Sequence, residues 1–317
     1  MKPEILITRP MPGKVVAEAL RYFSLTIRED VTPMTHQACV DSLHQYDAVL
    51  ATLGDPYNAQ VFDENHAPRC RLLANFGVGY NHIDVAAAKR AGVVVTNTPG
   101  AVTDATADIA LTLMLMTARR AGEAERMVRA GLWEGWHPTQ LLGAHMSGKS
   151  IGVIGMGRIG KAIAKRAHYG FGMQVRFFNR SPVANPGMPS EQVDMEEALA
   201  ADFVVIAVPG GPETRHLINA EALSQMKPHA FLINIARGDI VDEAALIDAL
   251  QNEVIAGAGL DVYEHEPVVA PALMLMENVT LLPHLGTAAL EVREAMGLMA
   301  VENLHAFFEG KPLPNQV

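Results

Sequence analysis

The chain has 317 residues, 49% hydrophobic and 19% charged, which is enough for two domains of ordinary globular composition. Lys and Arg number 25 against 35 Asp and Glu, a net charge of −10 that argues against nucleic acid or an anionic membrane as the main partner, because both select a basic face. Cys39 and Cys70 stand in no CxxC or Cys/His pattern, so neither a disulfide framework nor a metal site is expected, and a cytoplasmic, reducing location fits. The opening Met1-Lys2-Pro3-Glu4-Ile5 shows no charged region followed by an apolar one, so no signal peptide is expected. The most apolar run, 109–116, is too short to span a bilayer.

Short β-branched runs alternate with helical periodicity along the chain. Strands are predicted at 5–8, 24–27, 48–52, 72–76 and 93–97, and helices at 13–22, 35–45 and 85–91. This rhythm specifies an α/β fold with a parallel sheet covered on both faces. One long helix is predicted over about 103–130; with no flexible linker beside it, the helix itself would join the domains. The segment 132–138, with Trp133 and Trp136, has no readable period. A second strand series falls at 150–154, 174–178, 204–208, 231–235, 255–260 and 280–282. A final helical pattern at 291–309 either caps the second domain or returns to the first, and periodicity does not decide between them.

Gly155-Met156-Gly157-Arg158-Ile159-Gly160 is a GxGxxG, a spacing that glycine-rich turns also produce by chance. Here it follows the apolar strand 151–154 and opens the helical run 161–167, the setting in which it has mechanical meaning. The first glycine permits the tight turn, the second lets backbone approach a pyrophosphate, and the third lets helix and strand pack closely. About twenty residues on, where a carboxylate would bind a ribose 2′-hydroxyl, the strand ends in Asn179-Arg180-Ser181. Arg180 can fork onto a 2′-phosphate, and Asn179 and Ser181 can donate to it. NADP(H) is therefore the preferred cofactor expected, with NAD(H) also admitted, although a solvated arginine at a strand end is the plain alternative.

Three later segments put polar residues at strand ends in the second series, where open α/β sheets bind ligands. They are Asn234-Ile235-Ala236-Arg237-Gly238, then 259–267 with Asp261, Glu264 and Glu266, and Leu282-Pro283-His284-Leu285-Gly286. Each alone could be an ordinary salt bridge or a satisfied histidine. Together they suit hydride reduction of a ketone, which needs a proton at the developing alkoxide. His284 is the expected acid/base, Glu266 the partner that favours its charged form, and Arg237 the group that holds a substrate carboxylate and polarises the carbonyl.

These segments resemble the D-isomer-specific 2-hydroxyacid dehydrogenases, as do Asn75-Phe76-Gly77-Val78-Gly79-Tyr80-Asn81-His82-Ile83-Asp84 and Thr103-Asp104-Ala105-Thr106-Ala107-Asp108. The likeness covers nearly the whole chain. Within the family, Arg180 and Trp133-Glu134-Gly135-Trp136 look most like the branch that reduces glyoxylate and hydroxypyruvate with NADPH. The resemblance implies two doubly wound parallel-sheet domains. A flavodoxin-like substrate domain would be built from 1–100 plus 284–317, and an inserted Rossmann cofactor domain from 101–283, with the final helix returning to the first domain and substrate in the cleft between. It further implies that the backbone N–H groups of Val78 and Gly79 bind the substrate carboxylate, with Leu53 lining the pocket. Asp261 and the Ile235 backbone would face the nicotinamide amide, while Thr106, Pro209, Thr214 and Gly286 would contact cofactor and Arg158 and Ile159 would sit at the pyrophosphate. A homodimer is implied as well, in which Trp136 either reaches the other subunit's substrate pocket or packs in the interface.

The preferred oxo acid stays open on sequence. Reduction of 2-ketogluconate and oxidation of phosphite are alternatives within the same chemistry, and a nucleotide-sensing, corepressor-like binding protein is an alternative of another class. The chain's end at Val317 without an appended tail favours the enzyme.

Overall fold

The computed structural model describes residues 2–65 and 67–317. The chain divides into two compact units, residues 1–102 with 288–317 and residues 103–287.

The first unit opens with β1 (Glu4–Ile7), α1 (Gly13–Tyr22), β2 (Ser24–Ile27), α2 (His36–Gln45), β3 (Ala48–Thr52), α3 (Ala59–Asp63), β4 (Leu72–Phe76), α4 (Val85–Arg90) and β5 (Val94–Thr96). Its five strands are all parallel in the order β2-β1-β3-β4-β5, the flavodoxin-like arrangement. All five residues of β3 are buried, as a central strand with both faces covered requires. The helices start where the sequence supplies caps: Thr35, Asn58 and Asp84 each accept a backbone N–H from three residues on. Asp55 is fully buried yet satisfied, accepting from the Thr8 hydroxyl at 2.6 Å and from the N–H groups of Thr52 and Met34 at 3.0 Å, beside the Arg9 guanidinium at 3.3 Å. Arg9 also donates to the Leu53 carbonyl at 2.7 Å, which fixes the turn after β3.

The second unit runs α5 (Thr103–Ala118), α6 (Ala121–Arg129), β6 (Ser150–Ile154), α7 (Arg158–Phe171), β7 (Gln174–Phe178), β8 (Glu191–Gln192), α8 (Met195–Leu199), β9 (Phe203–Ile206), α9 (Ala220–Ser224), β10 (Phe231–Asn234), α10 (Glu243–Gln251), β11 (Gly257–Leu260), α11 (Pro271–Leu275) and β12 (Val279–Leu281). Its seven parallel strands are ordered β12-β11-β10-β9-β6-β7-β8. The chain order reverses between β6 and β9, and that switch point is where doubly wound sheets bind nucleotides. The fold is thus two doubly wound α/β sheets. Last comes α12 (Leu290–Phe308), which packs on α1 and β4 of the first unit. Gly297 permits that contact, because a Cβ there would fall 2.4 Å from Val15.

Three sequence expectations change. The single helix over 103–130 is two helices, broken at Arg120, whose φ of +52° is left-handed and whose guanidinium doubles back on Glu123. Neither Arg119 nor Arg120 is a glycine or proline, and Gly122 falls inside α6, so periodicity ran straight through the break. The helix also does not join the units, since α5 lies wholly in the second one. The return to the first unit falls after Thr287 rather than before His284. His284 stays with the second unit because its N–H donates to the Asp261 carbonyl at 2.9 Å.

Candidate active site

Arg237, Glu266 and His284 all belong to the second unit and follow the carboxyl ends of β10, β11 and β12. His284 Nδ1 lies 2.8 Å from Glu266 Oε2, and the Tyr263 N–H donates to the other carboxylate oxygen at 3.0 Å. Burial opposes charge on Glu266, yet the His284 hydrogen bond and charge, the Tyr263 N–H and the Arg237 charge outweigh it and hold the carboxyl below the usual carboxylate range. An ionised Glu266 only accepts, so Nδ1 must carry a proton and Nε2 is the nitrogen left to exchange one.

The loop bearing His284 is pinned from both sides. Asp261, 1% exposed, accepts the Leu285 N–H at 2.6 Å and the Gly286 N–H at 2.8 Å. Burial pushes the Asp261 carboxyl up, against those two N–H groups and His284. The Thr106 hydroxyl donates to the Gly286 carbonyl at 3.1 Å. His284 is held at φ +55°, a left-handed conformation that a non-glycine residue keeps only when its surroundings impose it.

Arg237 is half-buried after β10, where Asn234 Nδ2 donates to the Arg237 carbonyl at 2.8 Å. Burial works to lower its pKa, while Glu266 and Asp239 support its charge. Gly238 is required next to it: a Cβ there would lie 1.8 Å from the Tyr263 carbonyl carbon. This close approach brings the Arg237 turn against the run that leads to Glu266. Ile235, buried at the end of the same strand, sits one residue from the Asn234 Oδ1–Ala236 N–H bond.

The three glycines of the fingerprint play separable parts. A Cβ on Gly155 would lie 2.8 Å from Ala207 backbone, and one on Gly160 would lie 2.0 Å from the Gly155 carbonyl. A Cβ on Gly157 meets nothing within 4 Å, so neighbouring protein does not demand glycine there. Gly157 caps α7 without a side-chain hydrogen bond, leaving that helix start open to an anion beside the exposed Arg158 and half-buried Ile159. These features fit a dinucleotide pyrophosphate. Asn179 Oδ1 accepts the Met156 N–H at 3.1 Å, and its Nδ2 donates to the Ser181 carbonyl at 2.8 Å. Arg180, expected to face a phosphate, pairs with Glu213. The Thr214 hydroxyl next along donates to the Pro209 carbonyl at 2.7 Å.

Leu53, Val78 and Gly79 lie in the first unit, after β3 and β4. Trp136 is 79% exposed in the segment after α6 and belongs to none of these clusters. Sequence reasoning passed over Asn97, whose Nδ2 donates to the Val78 carbonyl at 2.9 Å, and over Glu213 as the partner of Arg180. An uncharged polar residue directly after a buried strand was the available signal for Asn97. It also passed over what Glu264 does: its carboxylate binds His216 at 2.8 Å and Arg215 at 3.2 Å behind the Arg237 turn.

Residues 111–286 match the profile described as "D-isomer specific 2-hydroxyacid dehydrogenase, NAD binding domain". The chain is 43% identical over 324 aligned residues to the glyoxylate reductase of Thermococcus onnurineus, covering all of this chain and 96% of that protein. Among solved structures it resembles the TT0316 protein from Thermus thermophilus, with a TM-score of 0.91, 39% identity and 99% of both chains covered. A TM-score of 0.86 with 36% identity relates it to an NADPH-dependent glyoxylate/hydroxypyruvate reductase from Sinorhizobium meliloti solved with NADP and malonate, over 100% of this chain and 97% of that one. The chain belongs to the D-isomer specific 2-hydroxyacid dehydrogenase family. As such it is an NAD(P)-dependent oxidoreductase, and enzymes of the family bind small 2-oxo acids. No helix among the described residues is long and apolar enough to cross a membrane.

Proposed function

We propose that this enzyme reduces glyoxylate and hydroxypyruvate to 2-hydroxy acids of the D series, with NADPH preferred over NADH. The observation that carries the reading is the 2.8 Å His284–Glu266 pair, with Arg237 bearing on the same carboxylate. A reduced nicotinamide supplies the hydride for the carbonyl carbon when it is bound. His284 gives the developing alkoxide its proton from Nε2, and Glu266 holds the ring in place through Nδ1. Arg237 binds the carboxylate and polarises the neighbouring carbonyl, its half-buried guanidinium strengthening both effects. Val78 and Gly79 offer N–H groups to the carboxylate, and Leu53 shapes the pocket. Gly157 and the start of α7 take the pyrophosphate, with Thr106, Pro209, Thr214, Ile235, Asp261 and Gly286 holding the rest of the cofactor. In this assignment the first unit is the substrate domain and the second the cofactor domain. NADPH preference follows from Asn179-Arg180-Ser181, which places no carboxylate where a ribose 2′-hydroxyl would need one.

The test is NADPH and NADH oxidation against a panel of 2-oxo acids, together with His284→Ala. The variant should lose several orders of magnitude in kcat, at least the 10²–10⁴-fold typical of a general acid, while binding NADPH as before. Near-normal turnover in the variant would remove His284 from the chemistry. Turnover confined to larger acids would overturn the glyoxylate assignment.

A further inference from the structure

Between β4 and β5 of the first unit, the carbonyl groups of three successive residues are all occupied from inside the unit. Asn75 Nδ2 donates to the Gly77 carbonyl at 3.0 Å and to the Gly79 carbonyl at 3.1 Å. Asn97 Nδ2 donates to the Val78 carbonyl at 2.9 Å, and the Thr98 N–H adds a second donor to Gly77 at 3.0 Å. In a trans peptide the C=O and N–H of one plane point in opposite directions. Fixing the Gly77 carbonyl therefore fixes the Val78 N–H, fixing Val78 fixes the Gly79 N–H, and fixing Gly79 fixes the Tyr80 N–H. The N–H groups of Val78 and Gly79 donate to nothing among the described residues, and both residues are half-buried. Asn75 is 1% exposed, and its buried Oδ1 has no partner among the described residues, because the amide is turned to spend both hydrogens on the loop.

We propose that Asn75 and Asn97 are positioning residues that hold the 77–79 backbone with its N–H groups turned outward, pre-forming a subsite for the carboxylate of a small oxo acid. This rests on the reading of the protein as a 2-oxo acid reductase. Asn97 governs the Gly79 N–H alone, whereas Asn75 governs those of Val78 and Tyr80. Neither side chain touches the substrate; each acts through a peptide plane.

The test uses the full-length protein with Asn97→Ala, and Asn97→Ser as a smaller change that keeps a hydroxyl. Oxalate serves as a non-reacting carboxylate probe in calorimetry, beside glyoxylate kinetics. Losing one well-aimed hydrogen bond to a charged group predicts oxalate affinity and glyoxylate KM weakened by about 10-fold or more in Asn97→Ala. The Asn97→Ser variant should fall between, with NADPH affinity unchanged in both and kcat altered less than KM. A merely structural asparagine would shift melting temperature without this selective effect on the acid. Parent-like oxalate affinity and KM in Asn97→Ala overturn the proposal, as does an unsubstituted protein that binds no oxalate. Unfolding of both variants assigns the amide to stability and overturns it too. Should the unsubstituted protein bind oxalate but not reduce glyoxylate, the activity assignment fails while oxalate affinity in the variants still decides the role of Asn97.

Discussion

Arg180 is 84% exposed and its partner Glu213 nearly as exposed, so their ion pair adds little to stability. Its interest is competitive: a 2′-phosphate and the Glu213 carboxylate ask for the same guanidinium fork. A charge-assisted bond is worth about 1.5–3 kcal/mol, roughly 10- to 150-fold in affinity. Arg180→Ala should therefore raise the KM for NADPH by about that factor and leave NADH almost unchanged. Glu213→Gln removes the competitor without removing Arg180 and should lower the KM for NADPH by a few-fold at most, since an exposed pair is worth about 0–1 kcal/mol. Steady-state kinetics with both cofactors checks the two together. Equal losses for NADPH and NADH in Arg180→Ala would show that Arg180 does not select the phosphate. The effect of Glu213→Gln should shrink as salt rises, because an exposed pair is screened.

At the level of elements, the β6-turn-α7 unit separates glycine's duties. Gly160 lies inside the packing, where a Cβ would strike the Gly155 carbonyl at 2.0 Å, while Gly157 faces open space. Gly160→Ala should destabilise the fold by more than about 1 kcal/mol, the range of overpacking, and cofactor loss would follow from that damage. Gly157→Ala should melt close to the parent temperature yet bind NADPH at least 10-fold more weakly, because the methyl group occupies the approach of the pyrophosphate. Thermal melts and nicotinamide fluorescence titrations tell the two apart. The same element shows why much of the molecule was legible in its sequence. Residues 150–154 and 174–178 form a buried β-branched run and an alternating one whose observed bounds match the expected ones, and the glycine spacing has one mechanical use in that setting. Less was legible where a tertiary contact overrides a local pattern. Arg120 breaks a helix through a left-handed turn that its own chemistry does not advertise. His284 goes with the second unit through a bond to the Asp261 carbonyl, and Asn97 meets the Val78 carbonyl nineteen residues away. Such pairings exist only once strands are adjacent.

For the molecule as a whole, charge and apolar surface tell different stories. A net charge of −10 opposes long-range attraction of an anionic acid or cofactor, so recognition has to come from local donors such as Arg237, Arg180 and the free N–H groups near Gly79 and Gly157. The apolar surface concentrates elsewhere. Val128 near the end of α6, and Leu132, Trp133, Trp136 and Leu142 in the stretch of little regular structure after it, are all exposed. Large apolar side chains this close in sequence, two tryptophans among them, suit burial against a partner, and the homodimer that the family resemblance implies would supply one. Sedimentation at micromolar concentration should therefore give twice the chain mass, and Leu132→Asp with Leu142→Asp should shift the protein toward monomer on dilution. A monomeric parent protein would refute the assignment. Trp136→Ala then separates the two roles open to that residue. Weaker oxo-acid binding with an intact dimer places the indole in the neighbouring subunit's pocket, whereas weakened association with parent-like KM in the remaining dimer makes it interface packing and nothing more.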